Sequence, residues 1–465
     1  MCSLTGVYGL EDIAADVLFR GAEAQQHRGE DGVGLATTNG VETFCKAELG
    51  MVKGQMMDLL EDSAHALRGM ILAGVAHTRY PTEGEPTKEN AQPFFAETRH
   101  GFLAYGHNGE LCNYHTLRRG LLQQGITLTK SSDSELFLGA YALSDGETLE
   151  ERLGHAAKQL RGAYSFVGIT KDALFAIRDP YGFKPLSVAQ LNGGYVVTSE
   201  TAGFLDIEGA QHCGDVKPGT VVTFSKRGMN EYRFEESHQL RPCVFELIYF
   251  ARPDSHIAGR NVHLTRVEFG RQVFREYPMD GDVVVAVEDS GRSGAEGLAE
   301  ESGIPLRRGF IRNQYATRTF IRPKNILRER GVNLKLSVVS EVVRGKRVLL
   351  VDDSIVRGNT ARSRVGLMRR AGAEAVYFYV TSPKIIGDCY YGIDFHRKEL
   401  RTTLMPDDEE FQRVINVDGL FHLSLEGMFE ALRKVSLDSR TGMDYPYREF
   451  CAGCLTREYP VPREA

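Results

Sequence analysis

Two carboxylates stand side by side directly after a short apolar run. Residues 348 to 351 read Val-Leu-Leu-Val, and Asp352 and Asp353 follow them. Four consecutive apolar residues fit a fully covered parallel strand, and residues 361 to 371 carry a helical period. Open α/β sheets bind ligands at such strand-to-helix turns, where backbone N–H groups attract anions. The turn is therefore predicted to hold a sugar phosphate, with the two carboxylates available for ribose hydroxyls or Mg²⁺.

The residues behind the two carboxylates favour a phosphate site over a simple helix end. An acidic helix cap is the alternative, but a cap needs only one Asp or Ser, and here a whole polar run follows the strand. The run lacks the Gly-Lys-Ser/Thr of a Walker A loop. It resembles the phosphoribosyl pyrophosphate (PRPP) signature of the phosphoribosyltransferases. The resemblance implies PRPP contacts from Asp352, Asp353, Ser354, Val356, Arg357, Gly358, Asn359 and Thr360.

A cysteine stands second in the chain, behind Met1. A small second residue permits removal of the initiator Met, so we expect Cys2 to carry a free α-amine. Such an amine has an ordinary pKa of about 7.7 to 8.0, so part of it is neutral near pH 7 and can take the thiol proton. Cys2 would then be nucleophile and base in one residue. By itself, a lone Cys at this position indicates no function.

Four motifs follow Cys2 and give it a context. They are Gln-His-Arg-Gly-Glu-Asp at 26–31, His-Thr-Arg-Tyr-Pro-Thr at 77–82, Gly-His-Asn-Gly at 106–109 and Ser-Ser-Asp-Ser-Glu at 131–135. In this order they resemble the motifs of class II glutamine amidotransferases, which are N-terminal-nucleophile hydrolases. The resemblance implies that Cys2 attacks the glutamine side-chain amide. Asn108 and Gly109 would then donate two hydrogen bonds to the tetrahedral oxyanion.

The same resemblance implies a pocket for free glutamine. Arg79 would clamp the substrate α-carboxylate bidentately, and Asp133 would pair with its ammonium group. Arg28, Gly29 and Thr82 would complete the pocket wall. Without the motif order, Arg79 and Asp133 would be read as ordinary ion-pair residues, and Asn108-Gly109 as a hairpin turn.

An amidotransferase half followed by a phosphoribosyltransferase half resembles the amidophosphoribosyltransferase family over nearly the whole chain. Stretches 246–255, 289–293 and 313–321 also resemble that family. The implied reaction converts glutamine, water and PRPP to phosphoribosylamine, glutamate and pyrophosphate, the first committed step of purine synthesis. One Mg²⁺ is implied on Ser290, Asp352 and Asp353. A loop that closes over PRPP and completes an internal ammonia passage is implied at 313–321, with contacts from Asn313, Tyr315 and Arg318. Gln314 and Thr317 depart there from the family's usual Arg and Gly.

A Cys-x-x-Cys pair lies near the end of the chain, at Cys451 and Cys454. Taken alone, this pair fits a redox-active dithiol, half of a zinc site or half of an iron–sulfur site. Cys243 and Cys389 match the iron–sulfur branch of the family. The resemblance therefore implies a structural [4Fe–4S] cluster on Cys243, Cys389, Cys451 and Cys454, whereas the residues by themselves leave a Cys₄ zinc site open.

Size and composition favour a two-domain protein that acts on small molecules. The chain has 465 residues, more than one core usually supports. It is 42% hydrophobic and 25% charged with a net charge of -6, which argues against disorder and against nucleic-acid or membrane-surface partners held by basic charge. The N-terminus lacks the features of a signal peptide, so we expect a cytoplasmic protein.

Two patterns of elements divide the chain. Residues 3 to 230 contain short strand-like runs with helical patterns at about 10–27 and 133–144, an α+β composition with antiparallel strands. From Asp282 the pattern alternates: strand 283–287, helix 293–302, strand 347–351, helix 361–371 and strand 375–381. Together with the resemblance, this predicts an α+β N-terminal-nucleophile hydrolase domain, with stacked antiparallel sheets between helices, at 2–235. An α/β type I phosphoribosyltransferase domain with a parallel sheet is predicted at 242–465.

Two other functions remain alternatives at this stage. One is a class II amidotransferase with a different acceptor, which the Asp-Asp-Ser turn disfavours because a sugar isomerase or ATP-pyrophosphatase half does not need it. The other is a non-catalytic PRPP sensor or transcriptional regulator, against which Cys2, Arg79, Asn108 and Asp133 count. The family resemblance further implies a homotetramer or dimer and inhibition by purine nucleotides.

Overall fold

The computed structural model describes residues 1–10, 12–80, 87–236, 239–312, 336–438, 440, 443 and 445–464. Its first part is built from two antiparallel sheets. The strands are β1 (Ser3–Tyr8), β2 (Gly32–Thr38), β3 (Thr43–Leu49), β4 (Ala73–Arg79), β5 (Phe94–Thr98), β6 (Gly101–Leu111), β7 (Gly162–Ile169), β8 (Leu174–Arg178), β9 (Ser187–Leu191), β10 (Gly194–Thr198), β11 (Gln211–Asp215), β12 (Thr220–Ser225) and β13 (Gly228–Arg233).

The two sheets stack face to face, and helices cover both outer faces. One sheet has the order β11-β9-β10-β1-β4-β2-β3 and the other β13-β12-β8-β7-β6-β5. In β1, Leu4 packs between the sheets, whereas Val7 packs on the helix side. Alternate residues of a strand point to opposite faces, so both faces of β1 are buried. The helices are α1 (Ala14–Ala24), α2 (Val52–Leu67), α3 (Tyr114–Gln123), α4 (Glu135–Leu143), α5 (Leu149–Ala157) and α6 (Ala202–Leu205).

The second part alternates strands and helices around a parallel sheet of order β16-β19-β20-β21. Its strands are β14 (His256–Ile257), β15 (Arg260–Asn261), β16 (Val283–Ala286), β17 (Phe310–Arg312), β18 (Leu336–Val338), β19 (Arg347–Asp352), β20 (Ala375–Val380) and β21 (Gly419–His422). Its helices are α7 (Val262–Glu276), α8 (Arg292–Ser302), α9 (Ser340–Val343), α10 (Asn359–Arg370), α11 (Arg401–Leu404), α12 (Asp408–Ile415), α13 (Leu425–Lys434) and α14 (Gly453–Thr456).

The parallel sheet is buried on both faces. In β19, Leu349 and Val351 join one apolar core, and Val348 and Leu350 join the other. This double burial explains why the strand reads as a continuous apolar run. The predicted fold class is confirmed, and the strands and helices predicted from Asp282 onward lie within a few residues of those observed. The domain limits 2–235 and 242–465 stay a prediction.

Candidate active sites and cysteine cluster

Cys2 lies at the start of β1, beside β4 and against the Asn108 side chain of β6. Its backbone N–H donates to Asn108 Oδ1 at 3.2 Å, and its thiol lies 3.8 Å from the carbonyl oxygen of Tyr80. The Asn108 Nδ2 is buried, and no described residue accepts its hydrogens. Buried amide donors nearly always have a partner. An unused donor beside the cysteine is therefore available to an oxygen that arrives with the substrate.

Arg79 and Asp133 lie at the same site as Cys2. Arg79, the last residue of β4, is 4% exposed, and Asp133 is 5% exposed. Burial lowers the pKa of Arg79, and the charges of Cys2, Asp31 and Asp133 oppose that shift. The Asp133 carboxylate accepts the N–H of Leu111 at 2.8 Å, which fixes its orientation. The structure thus brings Cys2, Asn108, Arg79 and Asp133 together, as the sequence motifs predict.

Two glycines allow the backbones of this site to approach closely. A Cβ on Gly109 would lie 2.0 Å from the carbonyl oxygen of Ala163, and its φ of +151° disfavours other residues. A Cβ on Gly29 would lie 2.6 Å from the backbone of Arg79. Both positions therefore require glycine.

Arg28 is buried in an ion-pair network that links the two halves of the chain. Its Nε donates to the carbonyl oxygen of Cys2 at 3.1 Å, and its other nitrogens contact two glutamates. The Nη1–Glu200 distance is 2.9 Å, and the Nη2–Glu246 distance is 2.7 Å, with all three side chains fully buried. Burial alone lowers the pKa of Arg28, but the charges of Glu246 and Glu200 outweigh it and raise the pKa. Sequence reasoning placed Arg28 in the pocket wall and missed both glutamates.

A second site lies at the carboxyl end of β19, in a cavity of about 490 Å³. Asp352 and Asp353 line it, and each is 5% exposed. Ser290 donates to Asp352 Oδ1 at 3.0 Å, and Ser354 donates to Asp353. Burial and the charge of Asp353 raise the pKa of Asp352 well above its ordinary value. The PRPP residues predicted in the turn after β19 line this cavity: Asp352, Asp353, Ser354, Val356, Arg357, Gly358, Asn359 and Thr360.

The two neighbouring carboxylates fit a hard cation with oxygen ligands. Together with Ser290 they supply too few ligands for an all-protein cage, but Mg²⁺ usually keeps waters and binds substrate phosphates as well. Among the residues that the structure describes, no group of three His, Cys, Asp or Glu side chains is arranged around a possible metal position. These donors therefore suit a cation that waters and a bound substrate also coordinate, rather than a cation held by protein ligands alone.

Sequence reasoning missed two further residues of this cavity. Arg364 of α10 lines it, is 9% exposed, and has a buried Nε and Nη1 with no hydrogen-bond acceptor among the described residues. The charge of Asp352 raises the pKa of Arg364, but burial outweighs it and lowers the pKa. Tyr80 lines the cavity from the first half of the chain. Because Tyr80 directly follows Arg79, one short segment reaches both sites.

Some predicted residues lie outside the described part of the chain. These are Thr82 of the glutamine pocket and the residues of the closing loop, Asn313, Gln314, Tyr315, Thr317 and Arg318.

The four predicted cluster cysteines lie in one region, in which Cys243, Cys451 and Cys454 are buried and Cys389 is partly buried. Cys243 pairs with Cys451 in a parallel β-bridge, and the carbonyl of Cys454 accepts the N–H of Gly387 at 3.0 Å, two residues before Cys389. Burial raises the pKa of every one of the four thiols, to about 11 for Cys243. All four are free cysteines. Four thiols are the donor chemistry of a zinc or iron–sulfur centre, but in the described structure no three of them are arranged around a metal position.

Lys184 is a buried cation beside this region. Its side chain is fully buried, its Nζ lies 2.8 Å from the Met1 sulfur, and no described carboxylate forms a salt bridge with it. The neighbouring Phe183 carbonyl accepts the N–H of Cys243 at 3.0 Å. The Lys184 charge opposes the rise in the pKa of Cys243 and Cys389. Buried lysines are rare without an anionic partner, and thiolates bound to a metal would supply one.

Within the described residues, none of the helices combines the length and the apolar character that crossing a membrane requires.

Comparisons with known proteins agree with both sites. Residues 1–140 match the family of class-II glutamine amidotransferases, and residues 77–206 match a glutamine amidotransferase domain. Residues 268–410 match a phosphoribosyl transferase domain. The first two matched regions together contain Cys2, Arg79, Asn108 and Asp133, and the third contains Asp352 and Asp353.

Relatives also match over the full length. An amidophosphoribosyltransferase of Archaeoglobus fulgidus is 38% identical over 470 residues, which cover 99% of this chain and 98% of that protein. One of Bacillus subtilis is 37% identical over 473 residues, covering 99% and 94%. The solved structure of glutamine PRPP amidotransferase from B. subtilis, complexed with ADP and GMP, is similar with a TM-score of 0.89 at 36% identity. It covers 100% of this chain and 98% of that one.

Proposed function

This chain belongs to the amidophosphoribosyltransferase family, and we propose that its two sites divide the amination of PRPP between them. The first site hydrolyses glutamine, and the second uses the ammonia to form phosphoribosylamine. The observation that carries the proposal is the Asn108 Nδ2 group beside Cys2, which has no acceptor among the described residues. The same chain places Asp352 and Asp353 in a separate cavity.

At the first site, the Cys2 sulfur attacks the amide carbon of glutamine and its proton passes to the α-amine. With Met1 removed, that amine would be the nitrogen that already lies 3.2 Å from Asn108 Oδ1. The carbonyl oxygen becomes an oxyanion, which Asn108 Nδ2 and the Gly109 N–H stabilise. The protonated α-amine then gives this proton to the departing amide nitrogen, which leaves as neutral ammonia, and water hydrolyses the thioester to glutamate.

The charged residues around Cys2 recognise free glutamine. The Arg79 guanidinium binds the substrate α-carboxylate, and the Asp133 carboxylate binds its ammonium group. Both side chains are buried, so each interaction is strengthened by the low local dielectric. Gly29 lies against the backbone of Arg79 at this pocket, and the family resemblance implies that Thr82 contributes to the same wall. Arg28 acts behind that wall, since its donors are used by Cys2, Glu200 and Glu246.

At the second site, the turn after β19 binds the 5-phosphate and the carboxylates bind the ribose and the cation. Backbone N–H groups at the start of α10 face the phosphate, with Thr360 supplying a hydroxyl. Ser290, Asp352 and Asp353 would hold Mg²⁺, which neutralises the diphosphate leaving group when bound. Ammonia attacks C1 of the ribose, and pyrophosphate leaves. The family resemblance implies that Asn313, Tyr315 and Arg318 add further substrate contacts.

Ammonia must travel between the sites in its neutral form. Water at neutral pH would protonate it, and an ammonium ion has no lone pair to attack C1. Tyr80 links the two sites, because its carbonyl oxygen lies 3.8 Å from the Cys2 thiol while the residue lines the PRPP cavity. A passage along this segment supports direct transfer.

Cys243, Cys389, Cys451 and Cys454 would hold a structural [4Fe–4S] cluster. The cluster would tie the segment at Cys243 to the chain end at Cys451 and Cys454. Anaerobically purified protein is therefore expected to be brown and to contain about four irons per chain. An iron-free preparation loaded with zinc would contradict the iron–sulfur cluster. It would not contradict the proposed amination reaction, which does not depend on the cluster.

Assembly and regulation follow the family resemblance. We infer a homotetramer or dimer in the cytoplasm that is inhibited by purine nucleotides, since the B. subtilis relative was solved with ADP and GMP. Inhibition by GMP or ADP in a steady-state assay tests the regulation.

The decisive experiment separates the two nitrogen sources. Cys2→Ala should abolish phosphoribosylamine formation from glutamine and leave formation from ammonium chloride within about threefold of wild type, because only the first site loses its nucleophile. The N-terminal mass of wild-type protein should show that Met1 is absent. Retained use of glutamine by Cys2→Ala, or full glutamine activity in protein that keeps Met1, would refute the assignment.

A further inference from the structure

Glu246 connects the nucleophile to the wall of the PRPP cavity. It pairs bidentately with Arg28, with distances of 3.0 Å from Nη1 to Oε2 and 2.7 Å from Nη2 to Oε1. The same guanidinium donates from Nε to the Cys2 carbonyl oxygen at 3.1 Å. Glu246 is the first residue of a π-helix, Glu246–Phe250. Tyr249 and Phe250 of that helix line the cavity.

Stability alone gives a poor explanation for this network. Removing ions from water is costly, and well-packed apolar residues often stabilise a protein as much as a buried ion pair does. A bidentate Arg–carboxylate pair does fix geometry, because two parallel hydrogen bonds define the plane of the guanidinium. Short π-helical segments are also frequent at functional sites. The arrangement therefore specifies the position of the Cys2 carbonyl relative to the helix at the PRPP cavity.

We propose that Glu246 is a positioning residue through which occupancy of the PRPP cavity sets the rate of glutamine hydrolysis. The proposal rests on the function proposed above. PRPP packed against Tyr249 and Phe250 fixes the π-helix, and the helix fixes Glu246. Glu246 then holds the Arg28 plane, and Arg28 holds the Cys2 carbonyl so that the thiol faces the substrate amide. With the cavity empty, the helix is less restrained and the thiol is held less well.

Glu200 offers a matched control on the same guanidinium. It contacts Arg28 Nη1 at 2.9 Å, and its other oxygen accepts from Ser255 Oγ at 2.6 Å. Like Glu246 it is fully buried, but it does not line the PRPP cavity and does not belong to the π-helix. Changing either glutamate to glutamine removes one charge from the network and keeps the side-chain shape. A purely structural role predicts similar effects from both changes.

The first test measures how strongly PRPP stimulates glutaminase. For wild type we expect stimulation of about tenfold or more, within the usual range of coupling between sites. Glu246→Gln should reduce the stimulation to about twofold or less and keep the ammonia-dependent rate within about threefold, while Glu200→Gln should keep most of the stimulation. Equal loss in both variants, or unchanged stimulation in Glu246→Gln, would overturn the proposal.

The second test uses binding, which is independent of turnover. Coupling between two sites is reciprocal, so in Cys2→Ala protein glutamine should tighten PRPP binding by the same factor by which PRPP tightens glutamine binding. Calorimetry should show this factor fall to about one in Cys2→Ala/Glu246→Gln. A wild-type enzyme that aminates PRPP but shows no stimulation would refute only the role of Glu246. An enzyme without amination from either nitrogen source would refute the proposed function itself.

Discussion

Removal of the Asn108 side chain tests the oxyanion assignment most directly. In the structure this amide has two separate tasks: Oδ1 accepts the Cys2 N–H at 3.2 Å, and Nδ2 is buried with no described acceptor. Asn108→Ala removes both groups. Loss of one oxyanion donor costs about 2.7–4 kcal/mol in the transition state, or about 10²- to 10³-fold in kcat. The lost neutral hydrogen bond to Cys2 adds about 0.5–1.5 kcal/mol.

The expected kinetic pattern is a fall in kcat with glutamine and little change in its KM. The oxyanion exists only in the transition state, so its donor contributes little to ground-state binding. The assay is glutamate release at saturating PRPP, measured beside phosphoribosylamine formation from ammonium chloride, which should stay within about threefold of wild type. Because the ammonia reaction uses only the second site, it reports whether the variant is folded.

Ser165→Ala is a matched control for Asn108→Ala. Ser165 lies directly opposite Asn108 in the β6–β7 pair and is equally buried, but its hydroxyl makes only a 3.4 Å contact with a carbonyl oxygen. The Ser165→Ala variant should keep kcat with glutamine within about threefold of wild type. The oxyanion assignment is wrong if Asn108→Ala loses less than about tenfold in kcat with glutamine. It is also wrong if both nitrogen sources lose activity equally.

Three further predictions concern the second site and the cluster. Asp353→Asn should lower the rate with glutamine and with ammonia alike, because it weakens the cation and ribose contacts that both reactions share; a loss confined to glutamine would contradict this. Arg364→Met should raise the KM for PRPP about 10- to 100-fold, because a hydrogen bond to a charged group contributes about 1.5–3 kcal/mol. Arg364→Lys, which keeps the charge, should recover part of this loss. If the proposed cluster is present, Lys184→Met should lower its midpoint potential at unchanged iron content, because loss of a buried positive charge disfavours the added electron; an unchanged potential in redox titration would disprove the electrostatic role.

The fold was largely predictable because its strands and helices have strong local patterns. The run at 348–351 and the helical period behind it predicted β19 and α10, since a doubly buried parallel strand must be apolar throughout. The stacking of the two antiparallel sheets was different. Short buried strands have no sequence pattern that shows which face of a sheet packs against which partner. The stacking of the two sheets was therefore predicted from the family resemblance and not from the strand patterns.

The parts of the site that sequence reasoning missed depend on long-range contacts. Glu200 and Glu246 lie 172 and 218 residues from Arg28, and no local signal pairs residues at that distance. A signal for Arg364 did exist. It shares a helix face with Ala361, Val365 and Met368, all of which are buried. A single arginine on an otherwise apolar helix face indicates a buried charge, and such a charge needs an anionic partner or ligand.

Two separate chain segments, one at Tyr80 and one at Glu246, connect the two sites. The chemical groups of each segment suit it to a different role. The Tyr80 segment places a backbone carbonyl on the Cys2 thiol and the rest of the residue at the PRPP cavity, so it suits the transfer of ammonia. The Glu246 pair reaches the Cys2 carbonyl from the opposite half of the chain through charged groups, which suits it to fix orientation rather than to conduct a neutral molecule. Because Cys2 is the residue on which both segments meet, an empty PRPP cavity would leave the nucleophile poorly held and the passage incomplete at the same time. Glutamine would then be spared from hydrolysis when its ammonia could not be used.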